Sequence, residues 1–375
     1  MVRYLVGGYV RDQHLGVLPK DKDWIVLCSN EEELLSNGLQ RVGKDYPVYL
    51  DKNNGDVYAI AEMPTGFQCS SPITKSEITT ILEYDLLRRD FTINAMVQIG
   101  NEIFDPYNGL GDIKNCVLRH VSDRFNEDPI RVLRLAKFHC RYNFNAADET
   151  VKFIQKMDAA GELHNLSPQR IWPEIQEICS LNKLAPFFKL LRDINVIESI
   201  FPIFGEVSKN NLEEFLGTLE AKSTHEADTA FAFGILIGCF KVNNFKLEHV
   251  LHFCASSGFP AAYVSLAKKI WLILTLTKSE MLDSHQILKQ LSELGFLRKD
   301  QHVDAFSSAR AIINHSASKN IELNNLLLLK ELIKDLSEIS PKRDISKSDI
   351  AQFIAHSRLE LINHFLQKNK SHKEN

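Results

Sequence analysis

The sequence predicts an α/β head followed by an all-α remainder. Short β-branched runs bounded by glycine or proline recur over roughly the first hundred residues. After about residue 122, apolar residues recur at helical spacing, and helix-start signals such as Ser167-Pro168 repeat. The 375 residues, of which 44% are hydrophobic and 25% charged, are enough for two or three globular domains.

The strands of the head are predicted from four stretches. "RYLVGG" and "DWIVLC" are apolar and β-branched, and "EIFDPY" is a further short strand. "PVYLDKNNGDVYAIAE" reads as a hairpin with Asn-Asn-Gly at its tip. No convincing strand is expected beyond residue 125.

Composition limits the class of protein. The formal net charge of -4 excludes a uniformly basic nucleic-acid binder, so a polyanion would have to meet a local positive face. The seven cysteines form no CxxC pair, which predicts reduced thiols in a cytoplasmic protein instead of disulfides or a zinc site. The longest apolar runs, "TAFAFGILIGCF" and "IWLILTL", are too short to span a bilayer, so no membrane partner is expected.

Two aspartates at the start of the second strand are candidate metal ligands. Side chains at i and i+2 of a strand share a face, so Asp21 and Asp23 would project together. Two adjacent carboxylates favour a divalent cation, and Mg²⁺ is the usual one beside phosphates. The alternative is a solvated strand face, which is the commoner explanation for an isolated Asp-x-Asp.

Two glycines between the first strand and a short helix are a candidate anion site. Glycine lets backbone N–H groups approach a ligand, and Arg11 lies close behind Gly7 and Gly8. With the aspartates, they describe a triphosphate cradle beside a metal site. The alternative is a plain tight turn.

Three later stretches place cations at predicted helix starts. In "DLLRRDFTINAM", Asp90 would N-cap a helix that starts at Phe91, with Asn94 one turn in. In "EDPIRVLR", Asp128 and Pro129 would start a helix that carries two arginines on one face. "LSPQRIWPEI" places an arginine in a first turn. Each also fits a capped helix with solvated or paired arginines. The arginines are Arg88 and Arg89, Arg131 and Arg134, and Arg170.

Taken in order, these motifs resemble the class II tRNA nucleotidyltransferases, the CCA-adding enzymes, and the related bacterial poly(A) polymerases. "LVGGYVRDQHLG…PKDKDW", "DLLRRDFTINAM", "DPYNGLGD", "EDPIRVLRLAKF" and "LSPQRIWPEI" carry the resemblance over residues 1 to about 200. The chain opens at the first motif, as in the gamma-proteobacterial CCA-adding type. The resemblance implies a DNA-polymerase-beta-like nucleotidyltransferase head and an all-α neck, body and tail. We therefore expect a head over 1–122, a neck with a base-reading motif over 123–200, a body over 201–300 and an RNA-binding tail over 301–375.

The resemblance also implies site roles. Asp21 and Asp23 would hold Mg²⁺. Residues from three motifs would bind the nucleotide. Gly8, Arg11 and Arg89 would hold the triphosphate, and Asp90 and Asn94 would lie near the sugar. Asp128, Arg131 and Arg134 would contact the base. Arg170 would support the base-reading turn. The implied reaction is template-independent addition of CCA to the 3′ end of tRNA from CTP and ATP, with release of pyrophosphate.

Two features depart from the family pattern. Val57 stands where relatives often carry a metal-side glutamate, and Glu62 stands at an arginine position. The identity of a third metal-side carboxylate therefore stays open, with Asp56 as the candidate. The loop over about 62–84, which in the family helps switch from C to A addition, begins at this departure, so its behaviour stays open too. No His-Asp pair of a phosphohydrolase domain follows the neck. The alternatives are a poly(A) polymerase, a partial CC- or A-adding enzyme, and an RNA-binding protein without activity.

Overall fold

The computed structural model describes residues 1–19, 22–42, 47–205, 208–222, 228–278, 282–298, 303–314, 319–340 and 349–371. The chain divides into two compact units, Met1–His164 and Asn165–Asn375. The first unit continues past residue 122, so it contains part of the predicted neck. The four-part division expected from the sequence stays a prediction.

The first unit is built on a mixed seven-stranded sheet in the order β3-β4-β5-β2-β1-β6-β7. β2 pairs with β5 in parallel, and its pairing with β1 is antiparallel. The predicted strands and the hairpin are confirmed, whereas β3 and β6 were not predicted. The strands are β1 (Val2–Val6), β2 (Asp23–Leu27), β3 (Gln40–Val42), β4 (Val48–Leu50), β5 (Val57–Ile60), β6 (Val97–Ile99) and β7 (Glu102–Phe104).

Six α-helices and two 3₁₀ helices complete the first unit within the described residues. The α-helices are α1 (Gly8–His14), α2 (Glu31–Ser36), α3 (Lys75–Leu86), α4 (Gly109–Lys114), α5 (Arg131–Tyr142) and α6 (Asp148–Ala159), and the 3₁₀ helices are Thr92–Asn94 and Asp123–Glu127. Residues 75–84 are therefore helical, so the predicted loop over 62–84 is wrong beyond Thr74. Thr74 and Glu77 form a capping box that fixes this helix start.

The two faces of the sheet bury different residues because side chains alternate along a strand. Ile25 and Leu27 pack with Leu82 and Leu86 of α3 in one core cluster. Val26, between them, packs with Leu34 of α2 in another. Helices thus cover both faces of β2, the strand that begins at Asp23.

A two-stranded parallel pair joins β8 (Val117–Leu118) to β9 (Asn145–Ala146). The expectation of no strand beyond residue 125 is therefore wrong at β9. Two residues are too short for a strand to leave an alternating sequence pattern.

The second unit is helical throughout its described residues, as predicted, and the fold class is confirmed. Its core contains a group of phenylalanine rings in contact: Phe188, Phe201, Phe204, Phe215, Phe240 and Phe253. Within the described ranges, no helix is both long and apolar enough to cross a membrane. The helices are α7 (Pro168–Ser180), α8 (Leu184–Asp193), α9 (Ile197–Ile200), the 3₁₀ helix Pro202–Phe204, α10 (Lys209–Lys222), α11 (Thr229–Val242), α12 (Leu247–Ser256), α13 (Ala261–Thr277), α14 (Ser284–Glu293), α15 (Val303–Ile313), α16 (Lys319–Glu338) and α17 (Ile350–Ser371).

A disulfide joins Cys28, directly after β2, to Cys69, in the segment that leads to α3. Their Cα atoms lie 6.0 Å apart. The prediction that all cysteines are reduced is therefore wrong for this pair, whereas the other five are free. The two cysteines are 41 residues apart and belong to no motif, so the sequence carries no signal for the pairing.

The disulfide predicts a thiol count. Alkylation of denatured protein, purified without reductant, is expected to label five cysteines, and prior reduction should raise the count to seven. Mass spectrometry of the intact chain measures both. In a Cys69→Ser variant, labelling without reduction should already be complete; seven labels in unreduced wild type would contradict the pairing.

Candidate active site

Asp23 occupies the first position of β2, in the middle of the sheet. It is half-buried, and its strand is flanked by β1 and β5. In the antiparallel pair Leu5 faces Trp24, so the end of β1 lies beside the start of β2. Gly7, which follows β1, and Asp23 therefore sit at the same end of neighbouring strands. Asp21 lies outside the described residues, so the expected pairing of the two carboxylates stays a prediction.

The strand next to Asp23 carries no carboxylate at the matching position. Asp23 is in register with Val57, and residues in register across a parallel pair point to the same face. Asp56 instead accepts a hydrogen bond from Trp24 Nε1 at 2.9 Å. Trp24 faces away from Asp23, so Asp56 lies on the opposite face of the sheet. Among the described residues, no group of three His, Cys, Asp or Glu could hold a metal ion.

A glycine turn connects β1 to α1. Gly7 has φ 72° and ψ -128°, a conformation that strains a residue with a side chain, and its N–H donates to Met96 O at 3.0 Å. A Cβ at Gly7 would lie 3.4 Å from Arg89 Nη1 and 3.5 Å from Asn94 O. The turn thus brings the Arg89 guanidinium against the backbone. Arg89 Nε is buried and donates no hydrogen bond within the described structure. A guanidinium that lies beside a glycine turn and whose Nε has no acceptor among the described residues fits an anionic ligand.

Arg11 is enclosed beneath this turn. It is only 4% exposed, and its guanidinium lies 4.8 Å from the centre of the Tyr142 ring. Its Nε donates to Asp12 Oδ1 at 2.9 Å, and its Nη1 donates to Asn94 Oδ1. Tyr142 completes the arrangement by donating its hydroxyl to Asp12 Oδ1 at 2.8 Å. The contacts of Arg11 hold the turn and Asn94 together, and its predicted role toward the triphosphate stays a prediction.

Asp90 continues these contacts toward α5. Its Oδ1 accepts from Phe91 N–H and from Asn94 Nδ2, each at 2.9 Å, and its Oδ2 accepts from Arg134 Nε at 2.7 Å. Asp90 does not cap an α-helix at Phe91 as predicted, because the following residues form the 3₁₀ helix Thr92–Asn94. Hydrogen bonds and ion pairs therefore join six side chains in sequence, the buried polar chain: Tyr142, Asp12, Arg11, Asn94, Asp90 and Arg134.

Asp128 precedes α5 by three residues, and Arg131 is the first residue of this helix. The helix starts at Arg131, with Ile130 as its N-cap, so the predicted start, with Asp128 as the cap and Pro129 as the first helical residue, is wrong by two residues. The backbone carbonyl of Asp128 accepts the Arg131 N–H at 3.0 Å. Arg131 donates Nη1 to Arg124 O and Nη2 to Arg88 O, each at 2.6 Å. These two bonds fix the Arg131 side chain, which follows Asp128 by three residues.

The departure at Glu62 has a structural counterpart. Its carboxylate accepts from Arg124 Nη2 at 3.1 and 3.2 Å, and Arg88 Nε lies 3.8 Å away. Arg124 and Arg88 therefore compensate the negative charge of Glu62.

Two segments match known protein families. Residues 3–119 match the poly A polymerase head domain, and residues 143–206 match a family described as the probable RNA and SrmB-binding site of polymerase A. The fold resembles solved structures over nearly the whole chain. One is a tRNA-processing enzyme with CTP, at 21% identity and TM-score 0.60, which covers 97% of this chain and 96% of that one.

Two further solved structures have a similar fold. A CCA-adding enzyme in an apo form has 20% identity and TM-score 0.62 over 98% of this chain and 89% of its own. A tRNA nucleotidyltransferase complexed with a primer tRNA and an incoming ATP analog has 22% identity and TM-score 0.61 over 89% and 96%. The chain has a nucleotidyltransferase fold. Asp23, the glycine turn and Arg89 all lie in the part of this chain that matches the head-domain family.

The other predicted site residues divide between the two units of the chain. Gly8, Arg11, Arg89, Asp90, Asn94 and Arg134 come together around the glycine turn and the buried polar chain. Arg170 belongs to the second unit, near the start of α7, where Pro168 occupies the first turn as predicted. Its support of the base-reading turn stays a prediction.

Sequence reasoning missed Asp12 and Tyr142. They are 130 residues apart, and no local pattern connects them. Burial raises the pKa of the Tyr142 phenol, so the group stays protonated and can donate to Asp12. Only the position of Asp12 directly after Arg11 marked it in the sequence.

The Asp90–Arg134 pair predicts a pH dependence of stability. Burial raises the pKa of Asp90, but the charge of Arg134 and the hydrogen bonds that the carboxylate accepts lower this pKa by more. The net result is a pKa of about 2 instead of the ordinary 3.8. A carboxyl group with a depressed folded pKa stabilises above its unfolded pKa, and this contribution disappears as pH falls through the folded value. The shift corresponds to about 2 kcal/mol at neutral pH.

We expect Asp90→Asn to lower the free energy of unfolding at neutral pH, with the difference from wild type shrinking as pH falls from about 4 to about 2. Urea denaturation across this pH range measures it. A difference that does not change with pH would mean that Asp90 gains nothing from being ionised.

Proposed function

We propose that this chain is a tRNA nucleotidyltransferase of the CCA-adding type, which extends the 3′ end of tRNA with CTP and ATP. The observation that carries the proposal is the meeting of Asp23, the glycine turn and Arg89 at one end of the central strands. The match to the poly A polymerase head domain, and solved structures described with CTP, with ATP and with a primer tRNA, support it.

The site suits a nucleoside triphosphate. Arg89 places its Nη1 beside Gly7 and has no acceptor at its Nε within the described ranges, so the guanidinium can donate to phosphate oxygens. The carboxylate of Asp23 fits a hard divalent cation such as Mg²⁺, with Asp21 as the second expected ligand. When bound there, Mg²⁺ would neutralise phosphate charge and favour ionisation of the attacking hydroxyl.

The protein's own contribution is positioning. Arg89 would hold the triphosphate against the glycine turn, and the buried polar chain would keep Asn94 and Asp90 in place near the sugar. The 3′ hydroxyl of the RNA attacks the α-phosphate, one P–O bond forms, and the bond to pyrophosphate breaks. Such transfer needs little covalent chemistry from the protein, so orientation and charge account for most of the rate.

RNA binding is proposed for the helical part. The family match of residues 143–206 supports it, and a chain of net charge -4 would need to concentrate its basic residues where the RNA lies. Recognition through phosphates and 2′-hydroxyl groups suits the acceptor arm of tRNA. RNA contact by residues 301–375 and a cytoplasmic location are further parts of the proposal.

Product length tests the proposal. The purified protein is incubated with tRNA ending at the discriminator base, at C or at CC, with CTP and ATP singly and together. Addition of one complete CCA supports the proposal. Long adenosine tails would establish the poly(A) polymerase alternative, which the names of both matched families favour. Addition limited to C or to A would establish a partial enzyme, and tRNA binding without addition would establish an RNA-binding protein.

A further inference from the structure

Asp85 is a carboxylate in an apolar part of the first unit. It lies in the last turn of α3 and is 0% exposed, as are its helix neighbours Ile81, Leu82 and Leu86. A buried carboxylate is costly unless hydrogen bonds and opposite charge compensate for the lost water. The position therefore requires specific partners.

One oxygen of Asp85 is fully used. Oδ1 accepts from Glu62 N–H at 2.9 Å and from Arg88 Nε at 2.9 Å, and Arg88 Nη2 lies 2.8 Å away. Arg88 in turn presents its backbone carbonyl to Arg131. Asp85 thus fixes the residue before Arg89 and the start of the segment that leads from β5 to α3.

The other oxygen of Asp85 faces Arg89. Oδ2 is buried and accepts no hydrogen bond within the described structure, and Arg89 Nη2 lies 3.7 Å from it. At that distance the carboxylate attracts the guanidinium without using its N–H donors. Arg89 Nη1 meanwhile lies against Gly7, and its Nε has no acceptor. The arginine is therefore oriented by charge, and its Nε is left without an acceptor in the described part of the chain.

We propose that Asp85 is a positioning residue for the triphosphate: it holds Arg89 at the glycine turn by charge, so that the arginine's donors serve the phosphates. This inference rests on the proposed function. It assigns to Asp85 no contact with the nucleotide. Its effect should therefore appear in triphosphate binding and should disappear when Arg89 is absent.

The test uses Asp85→Asn in the full-length protein. Asparagine keeps the size of the side chain and one acceptor oxygen for the Glu62 N–H, but it loses the charge. We expect the KM for CTP and the inhibition constant of pyrophosphate to rise about tenfold, with kcat within about threefold of wild type, because lost ground-state binding raises KM alone. Leu82→Ala is the matched control. It disturbs the same helix and lowers Tm, and it should leave both constants unchanged.

A double-mutant cycle with Arg89→Ala decides whether Asp85 acts through Arg89. The pyrophosphate inhibition constant of the double variant should equal that of Arg89→Ala alone, since two residues acting as one unit are not additive. Additive effects would overturn the inference, as would an Asp85→Asn variant with unchanged constants, or a Leu82→Ala variant with the same rise.

Calorimetric binding of CTP and of pyrophosphate separates this inference from the proposed function. If wild type binds both but adds no nucleotide, the proposed activity fails, and the cycle can still be completed on the dissociation constants. If wild type adds nucleotides and the cycle is additive, only the inference fails. If wild type binds neither ligand, both are wrong.

Discussion

Asp23→Asn is expected to lower the rate of nucleotide addition by about a thousandfold or more, because it removes a charged ligand from the proposed Mg²⁺ site, whose charge stabilisation is worth several kcal/mol. Asparagine has nearly the same size, so folding and tRNA binding should change little. Single-turnover extension of tRNA measures the rate, and thermal unfolding and a tRNA binding assay measure the rest. Asp21→Asn is expected to give the same result, although Asp21 lies outside the described residues.

Asp56→Asn is the matched control for Asp23. Asp56 lies one residue before Val57, the register partner of Asp23, but its carboxylate bonds Trp24 on the other face of the sheet. Its amide variant should therefore keep nearly full activity. Addition at close to the wild-type rate by Asp23→Asn would exclude the metal role. If Asp56→Asn lost as much activity as Asp23→Asn, the loss would not be specific to the carboxylate at position 23.

Asp128→Ala is expected to weaken use of CTP and ATP and to relax rejection of UTP and GTP. Cytosine and adenine each present an amino donor beside a ring-nitrogen acceptor, and uracil and guanine present a carbonyl acceptor beside an N–H donor. A carboxylate only accepts and a guanidinium only donates, so Asp128 and Arg131 together suit C and A. Each mispaired buried group costs about 1–3 kcal/mol, which corresponds to selectivity of roughly ten- to hundredfold.

The competing explanation makes Asp128 a helix cap. The structure gives the N-cap position to Ile130, two residues later. A cap would also predict lost stability with unchanged selectivity. Values of kcat/KM for all four nucleotides in Asp128→Ala and Asp128→Asn, together with Tm, separate the two. An unchanged ratio of CTP to UTP use in both variants would leave Asp128 without a part in base choice.

The sequence predicted those parts of the fold whose signals are local. The apolar, β-branched run of β2 and the turn residues of the β4–β5 hairpin are each contained within a few consecutive residues. β9, with two residues, was missed because it is too short for a periodic pattern. β6 was also missed, although β7, which has the same length of three residues, was predicted. The α/β-then-α layout followed from a change of periodicity that extends over hundreds of residues.

The site was predicted as a set of residues but not as an arrangement. Asp90 was read as an N-cap because aspartate before an apolar run is a local cap signal. In the structure Arg134, 44 residues away, and Asn94 determine the orientation of its carboxylate, and a 3₁₀ helix replaces the expected α-helix. Asp12, Tyr142, Asp85 and the disulfide were missed for the same reason: each depends on a partner that is distant in sequence or unremarkable in composition.

The buried polar chain determines how much of the protein a minimal fragment must contain. The strands of the seven-stranded sheet end at Phe104, and a division made by secondary structure alone would cut soon afterwards. Such a fragment would lack Arg134 and Tyr142, so Asp90 would lose its ion pair and Asp12 would lose the hydrogen bond from the Tyr142 hydroxyl. A truncated version meant to bind nucleotides should therefore run to His164, where the first compact unit ends. For the same reason, grafting a foreign α5 to change base preference would require residues 7–12 and 90–94 to be exchanged with it.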